Sequence, residues 1–196
     1  TMSYALRHGA VELGLPMRGD GYVRVDALLK IPGLQRANVA TVRQVVEEDK
    51  KNRYSLADIE EGGSSHLFIR ANQGHSIAVN DEELLSPIEK ADDLPICIHA
   101  TNEKALEAIL KTGLSKMGRN HIHFTTAEKL RGEARPMTRA SAHIDIYVDV
   151  KAAFEEGIRF FRSKNNVVLS SGIDGFIPAR FFWKVVNTKT GKVVEA

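Results

Sequence analysis

The sequence predicts an α+β protein of two lobes, and three observations carry that prediction. Residues 1–93 read as short helices followed by a small hairpin; residues 80–95 read as an acidic, proline-containing connector; and from residue 94 strands interleave with short helices to the end. The expected lobes are therefore 1–93 and 94–196. Either is long enough to bury a core of its own. A composition of 43% hydrophobic and 27% charged residues excludes a disordered, collagen-like or fibrous chain.

The elements follow in order. Ser3 can cap a first helix carrying Tyr4, Leu6, Val11 and Leu13, which Gly14 and Pro16 end. Asp20-Gly21 is a turn and Tyr22-Val23 a short extended piece. Asp26 can cap a second helix through Leu28 and Leu29 that stops before Pro32 and Gly33. Asn38 can cap a third, in which Val39, Val42, Val45 and Val46 recur at three- and four-residue spacing and predict one buried face. Arg53–Leu56 and His66–Arg70 are alternating runs separated by a polar, Gly-rich stretch from Asp58 to Ser65. Three helices and a hairpin make a winged-helix-like module, an arrangement that docks on nucleic acid in some proteins and is only a scaffold in others. In the second lobe Ile96–Ala100 is extended, Asn102 can cap a helix over 103–112, and Gly113 is placed to stop it. His121–Phe124, Ile144–Val148, Val167–Leu169, Ile177 and Phe182–Val186 carry strand signals.

The single cysteine, Cys97, cannot form an intramolecular disulfide, which favours a reducing, cytoplasmic setting. No apolar run reaches the roughly 18 residues of a membrane span, and Thr1-Met2-Ser3-Tyr4 is too polar for a signal peptide. A net charge of +2 permits a polyanionic partner without requiring one. Neither a Gly-rich dinucleotide turn nor a phosphate loop is present, and no Cys pair or His-Glu-x-x-His supplies a metal site. His121 and His123 alternate with Ile122 and so share a strand face. Two imidazoles there can hold a metal, face a polar ligand or line a solvated edge, and no third metal ligand stands nearby in sequence.

Arg7-His8 interrupts the first helix where its apolar stripe should continue, Arg53 opens a strand after Lys50-Lys51, and Arg119-Asn120 follows Gly118 in a turn. Each alone reads as a solvated charge. With Gln73-Gly74-His75-Ser76, His99-Ala100-Thr101, Arg119-Asn120-His121-Ile122-His123, Phe161-Arg162-Ser163 and Asn166-Val167-Val168-Leu169, they occur in the order and at about the spacing of the NAD-dependent RNA 2′-phosphotransferases. The resemblance runs from about residue 3 to 186, and it is the register of all these motifs that makes it specific.

The resemblance implies a winged-helix lobe that holds RNA and a carboxy-terminal lobe of the ADP-ribosyltransferase type that holds NAD, used as co-substrate without a metal. The implied partners are NAD and an RNA carrying an internal 2′-phosphate, acted on by a monomer away from any membrane. The RNA 2′-phosphate would attack the anomeric carbon of the nicotinamide ribose, and the ribose 2″-hydroxyl would then attack phosphorus. Two other classes compete: an ADP-ribosyltransferase of nucleic-acid terminal phosphates that stops at the adduct, and a non-enzymatic winged-helix nucleic-acid-binding protein.

By similarity Arg7, His8, Arg53 and Arg119 match the family's catalytic set. Arginine suits crowded phosphate charge because it binds oxygens as a permanent bidentate fork, and an imidazole suits proton transfer to the departing RNA oxygen. NAD binding falls to His99, Ala100, Thr101, Ser115, Asn120 and His123, with an aliphatic such as Val168 where related toxins carry a glutamate. The family's His-Gly-Thr reads His-Ala-Thr here. Backbone pairing survives that change if φ is negative, whereas a left-handed Ala100 would cost about 1–2 kcal/mol. Lys51, Arg70, Gln73, His75 and Arg139 are candidates for RNA phosphates, which position a strand without reading its bases.

Overall fold

The computed structural model describes residues 1–126 and 142–194. It is α+β: short helices and several small sheets, in which every strand pair is antiparallel. The chain forms two compact units, Thr1–Leu85 with Ser163–Asn165, and Ser86–Arg162 with Asn166–Ala196.

In the first unit α1 (Met2–Tyr4) continues as a π-helical turn, Ala5–Gly9. Thr1, not Ser3, holds the N-cap position and makes no side-chain cap bond; Ser3 Oγ instead meets the Tyr54 hydroxyl. β1 (Val23–Arg24) leads into α2 (Val25–Leu28), which Arg24 precedes. Asp26 lies inside that helix and pairs with Arg24 at 2.6 Å, so it is not the cap. α3 (Val39–Glu48) is capped as expected, Asn38 Oδ1 accepting from Thr41 N at 2.9 Å. Its apolar stripe is buried at Val42 alone; Val39 and Val45 are exposed and Val46 is half-buried. β2 (Tyr54–Glu61) and β3 (Ser64–Ala71) pair over eight residues each, from Tyr54 opposite Ala71 to Glu61 opposite Ser64. The stretch Asp58–Ser65 is therefore strand interrupted only by Gly62-Gly63. Their φ values of 62° and 80° suit the tight turn that matches strand twist. The sheet order is β1-β3-β2, and Leu6, Val23, Leu28, Val42 and Ile69 join in its core.

The expected connector is ordered. Asn80 Oδ1 caps α4 (Asp81–Leu84), and β4 (Ser86–Ile88) pairs with β9 (Phe160–Arg162), burying Ile88 in the second unit's core. That unit has two four-stranded sheets. One runs β4-β9-β10-β7, with β7 spanning Ile122–Phe124 and β10 Val168–Ser170; the other runs β13-β12-β8-β5, with β5 Ile98–Thr101, β8 Ile144–Val148, β12 Phe182–Asn187 and β13 Val193–Val194. A two-stranded ribbon joins β6 (Leu114–Ser115) to β11 (Phe176–Ile177). Phe124, Phe160 and Val168 from the first sheet and Ile146, Val148 and Val185 from the second share one core. α5 (Glu103–Thr112) is bounded as its sequence predicts: Asn102 Oδ1 accepts from Ala105 N at 3.0 Å, and Gly113 ends it at φ 88°.

Candidate functional site

The first unit gathers four of its candidates through one loop. Ser76 N donates to Arg7 O at 2.9 Å and His8 Nδ1 bonds Ser76 Oγ at 2.8 Å, so the loop after β3 is fastened to the first helical turn. Half-buried Arg7 lies against that loop; a Cβ on Gly74 would stand 3.6 Å from its Nε. His8 is exposed, whereas Gln73 and His75 are 5% and 2% exposed, so their polar atoms face the interior of the unit.

Lys51 and Arg53 do not alternate on a strand. β2 begins at Tyr54, and Asn52 turns the chain at φ 46°. The turn is held through three successive carbonyls. Asn165 Nδ2 donates to Lys51 O at 3.1 Å, Asn72 Nδ2 to Asn52 O at 2.7 Å, and Asn72 N to Arg53 O at 2.8 Å. Asn72 is 2% exposed and its Oδ1 accepts from Ser55 Oγ, so the amide has a single orientation that satisfies it. Asp49 ties the same turn from the helix side, accepting from Arg53 N and Arg53 Nη1, each at 2.5 Å. Arg70 stands apart from this group. Its guanidinium covers the Tyr22 ring at 4.6 Å, and Nη1 donates to Asp20 O at 2.9 Å, a cation–π contact and a hydrogen bond that both serve packing.

In the second unit His99 leaves β5 toward β7. Its Nδ1 is 3.0 Å from His123 O, and since a carbonyl only accepts, Nδ1 carries the proton and Nε2 of the neutral ring is an acceptor. Burial lowers the His99 pKa, against the small opposing effect of that bond. His123 is pushed down to about 3, first by burial, then by the Arg119 charge and by His121. Arg119 is itself exposed, carried by a turn in which Arg119 N donates to Lys116 O at 3.2 Å and Met117 N to Ser115 Oγ at 3.0 Å. His99, His123 and Arg119 are thus brought together, with half-buried Ser115 at the end of β6 and half-buried Asn120 beside Arg119. His121 is buried and edge-on to Phe161, so it does not line a solvated edge.

Ala100 lies in β5 opposite Asp145 and is not among the residues of positive φ, so alanine fits there without strain. Thr101 is buried opposite Ile144, and Val168 is wholly buried in the core. Arg139 lies outside the described residues. Among the described residues no group of three or more His, Cys, Asp or Glu could hold a metal ion. Three residues that the sequence did not single out are Asp49, Asn72 and Asn165. Only Asp49 left a signal, its four-residue spacing from Arg53.

Residues 1–172 match the family model described as RNA 2′-phosphotransferase, Tpt1 / KptA family. The chain belongs to that family. Among its relatives are tRNA 2′-phosphotransferase 1 of Mus musculus, 41% identical over 192 residues, covering 96% of this chain and 75% of the mouse protein; tRNA 2′-phosphotransferase 1 of Danio rerio, 40% identical over 175 residues, covering 88% and 76%; and tRNA 2′-phosphotransferase of Saccharomyces cerevisiae, 33% identical over 192 residues, covering 94% and 80%.

Proposed function

We propose that this Tpt1 / KptA family member moves an internal RNA 2′-phosphate, such as one on tRNA, onto NAD. In the first step a 2′-phosphate oxygen bonds to C1″ of the nicotinamide ribose as the C1″–N bond breaks and nicotinamide leaves. In the second the 2″-hydroxyl oxygen loses its proton and bonds to phosphorus, the bond from phosphorus to the RNA 2′-oxygen breaks, and that oxygen takes a proton. The products are nicotinamide, RNA with a 2′-hydroxyl and ADP-ribose 1″,2″-cyclic phosphate.

The observation that carries this reading is the pair His99 and His123. Both rings stay neutral, and His99 offers a lone pair at Nε2 whose direction is fixed by its bond to His123 O. An oriented neutral acceptor suits a ribose hydroxyl and adds no charge beside a cationic pyridinium. We read the second unit as an ADP-ribosyltransferase-type lobe for that reason, with Ala100, Thr101, Ser115 and Asn120 as its other NAD contacts. We read the first, with its helices and its β2–β3 hairpin, as a winged-helix lobe for RNA.

Arg7, Arg53 and Arg119 are the cations we assign to the phosphate, and one donor held in position is worth about 3–4 kcal/mol to a transition state. We assign the proton that the RNA 2′-oxygen takes to His8, which is exposed and bonded to Ser76. A Val168 in place of an acid agrees with a nucleophile that is already an anion. The direct test mixes the protein with NAD and RNA bearing one internal 2′-phosphate. Nicotinamide is expected to be released in proportion to that phosphate, and release that is equal with a 2′-hydroxyl RNA would overturn the proposal.

A further inference from the structure

We propose that Asp49 is a positioning residue for the second chemical step, acting through Arg53. This rests on the function proposed above. Asp49 follows the last turn of α3, and its side chain is 7% exposed. One oxygen accepts from Arg53 N and the other from Arg53 Nη1, and Lys51 N donates to Oδ1 at 3.3 Å. One buried carboxylate thus holds the backbone and the guanidinium of the same arginine while also closing the turn that carries Lys51.

The consequence is orientation. Asp49 occupies Nη1 of the fork, while among the described residues Arg53 Nε and Nη2 carry no hydrogen bond, and the Lys51 ammonium has no carboxylate partner. The guanidinium is planar, so fixing one edge fixes where the other points. An arginine held in this way meets a phosphate oxygen without first losing its rotamer freedom, which is how preorganised charge acts on a transition state. Asn72 and Asn165 hold the three carbonyls of the turn, leaving side-chain aim to Asp49.

Rapid-quench time courses with labelled 2′-phosphate RNA and NAD separate the two steps. For Arg53→Ala, ADP-ribosylated RNA should accumulate because the second step slows. Asp49→Asn should do the same, slowing that step by about 10²-fold, the effect of a small misplacement, with nicotinamide release and the KM for NAD little changed. Asp49→Glu, which keeps the charge, should recover part of the loss. The double variant should be no slower than Arg53→Ala, since partners in one network are not additive. If Arg53→Ala stalls the second step but Asp49→Asn, shown to be folded by its thermal midpoint, does not, the inference about Asp49 is wrong while the function stands. If Arg53→Ala itself builds up no adduct, the role given to Arg53 fails first. Equal slowing of both steps by Asp49→Asn, or fully additive losses in the double variant, would reduce Asp49 to a structural residue.

Discussion

His123 combines burial with the nearby Arg119 charge, and both disfavour its protonated form. Its ring should therefore stay neutral well below the ordinary histidine range. A two-dimensional NMR titration of the imidazole resonances should show no midpoint for His123 between pH 5 and pH 8, and Arg119→Ala should raise the midpoint by removing one of its causes. A midpoint near 6.5 in the wild type would contradict this. The sign for stability follows. Because the folded pKa is depressed, the neutral ring contributes in full above 6.5, and the contribution shrinks as pH falls from 6.5 toward 3, where only the unfolded chain takes up a proton. Denaturant midpoints of the wild type and His123→Gln should converge as the solution is acidified through that window. At Arg70 the packing contacts predict a loss of about 1–3 kcal/mol for Arg70→Ala, seen as a lower thermal midpoint, and lysine should not restore it because the flat stack on Tyr22 needs a guanidinium.

The elements show where local signals suffice. Asn38, Asn102 and Gly113 bound their helices as the sequence predicts because caps are short-range chemistry, one side chain and the amides beside it. What failed depended on pairing and packing with other segments. Ser86–Ile88 looks like a linker until Phe160–Arg162 pairs with it, and Asp58–Glu61 looks like a loop until the full register with Ser64–Leu67 is formed. The valines of α3 predict a buried face, but the unit covers only Val42. In the site, Arg7, His8, His99 and His123 were legible as motifs, whereas Asn72 and Asn165 were not, because a carbonyl clamp depends on which backbone passes nearby. The stop at Gly113 gives an element-scale test. A Cβ there would stand 2.4 Å from Ile177 O at a φ of 88°, so Gly113→Ala should cost at least about 1–2 kcal/mol. Unchanged denaturant midpoints would show that the turn relaxes freely.

At the scale of the molecule, each unit has its own core; the Lys51–Arg53 turn and Arg7-His8 lie in the first, and His99, His123 and Arg119 lie in the second. Removing Arg119 should cut turnover by about 10²-fold or more, as loss of one preorganised donor does, measured as cyclic phosphate formed per enzyme. A wild-type rate would take it out of the reacting group.

The fate of the phosphorus atom decides between transfer to NAD and any other reaction. Incubated with NAD and an RNA labelled at one internal 2′-phosphate, the protein should carry the label into ADP-ribose 1″,2″-cyclic phosphate and leave that position as a 2′-hydroxyl, with nothing transferred when NAD is omitted. Label that remains on the RNA, or appears as inorganic phosphate whether or not NAD is added, would contradict the account.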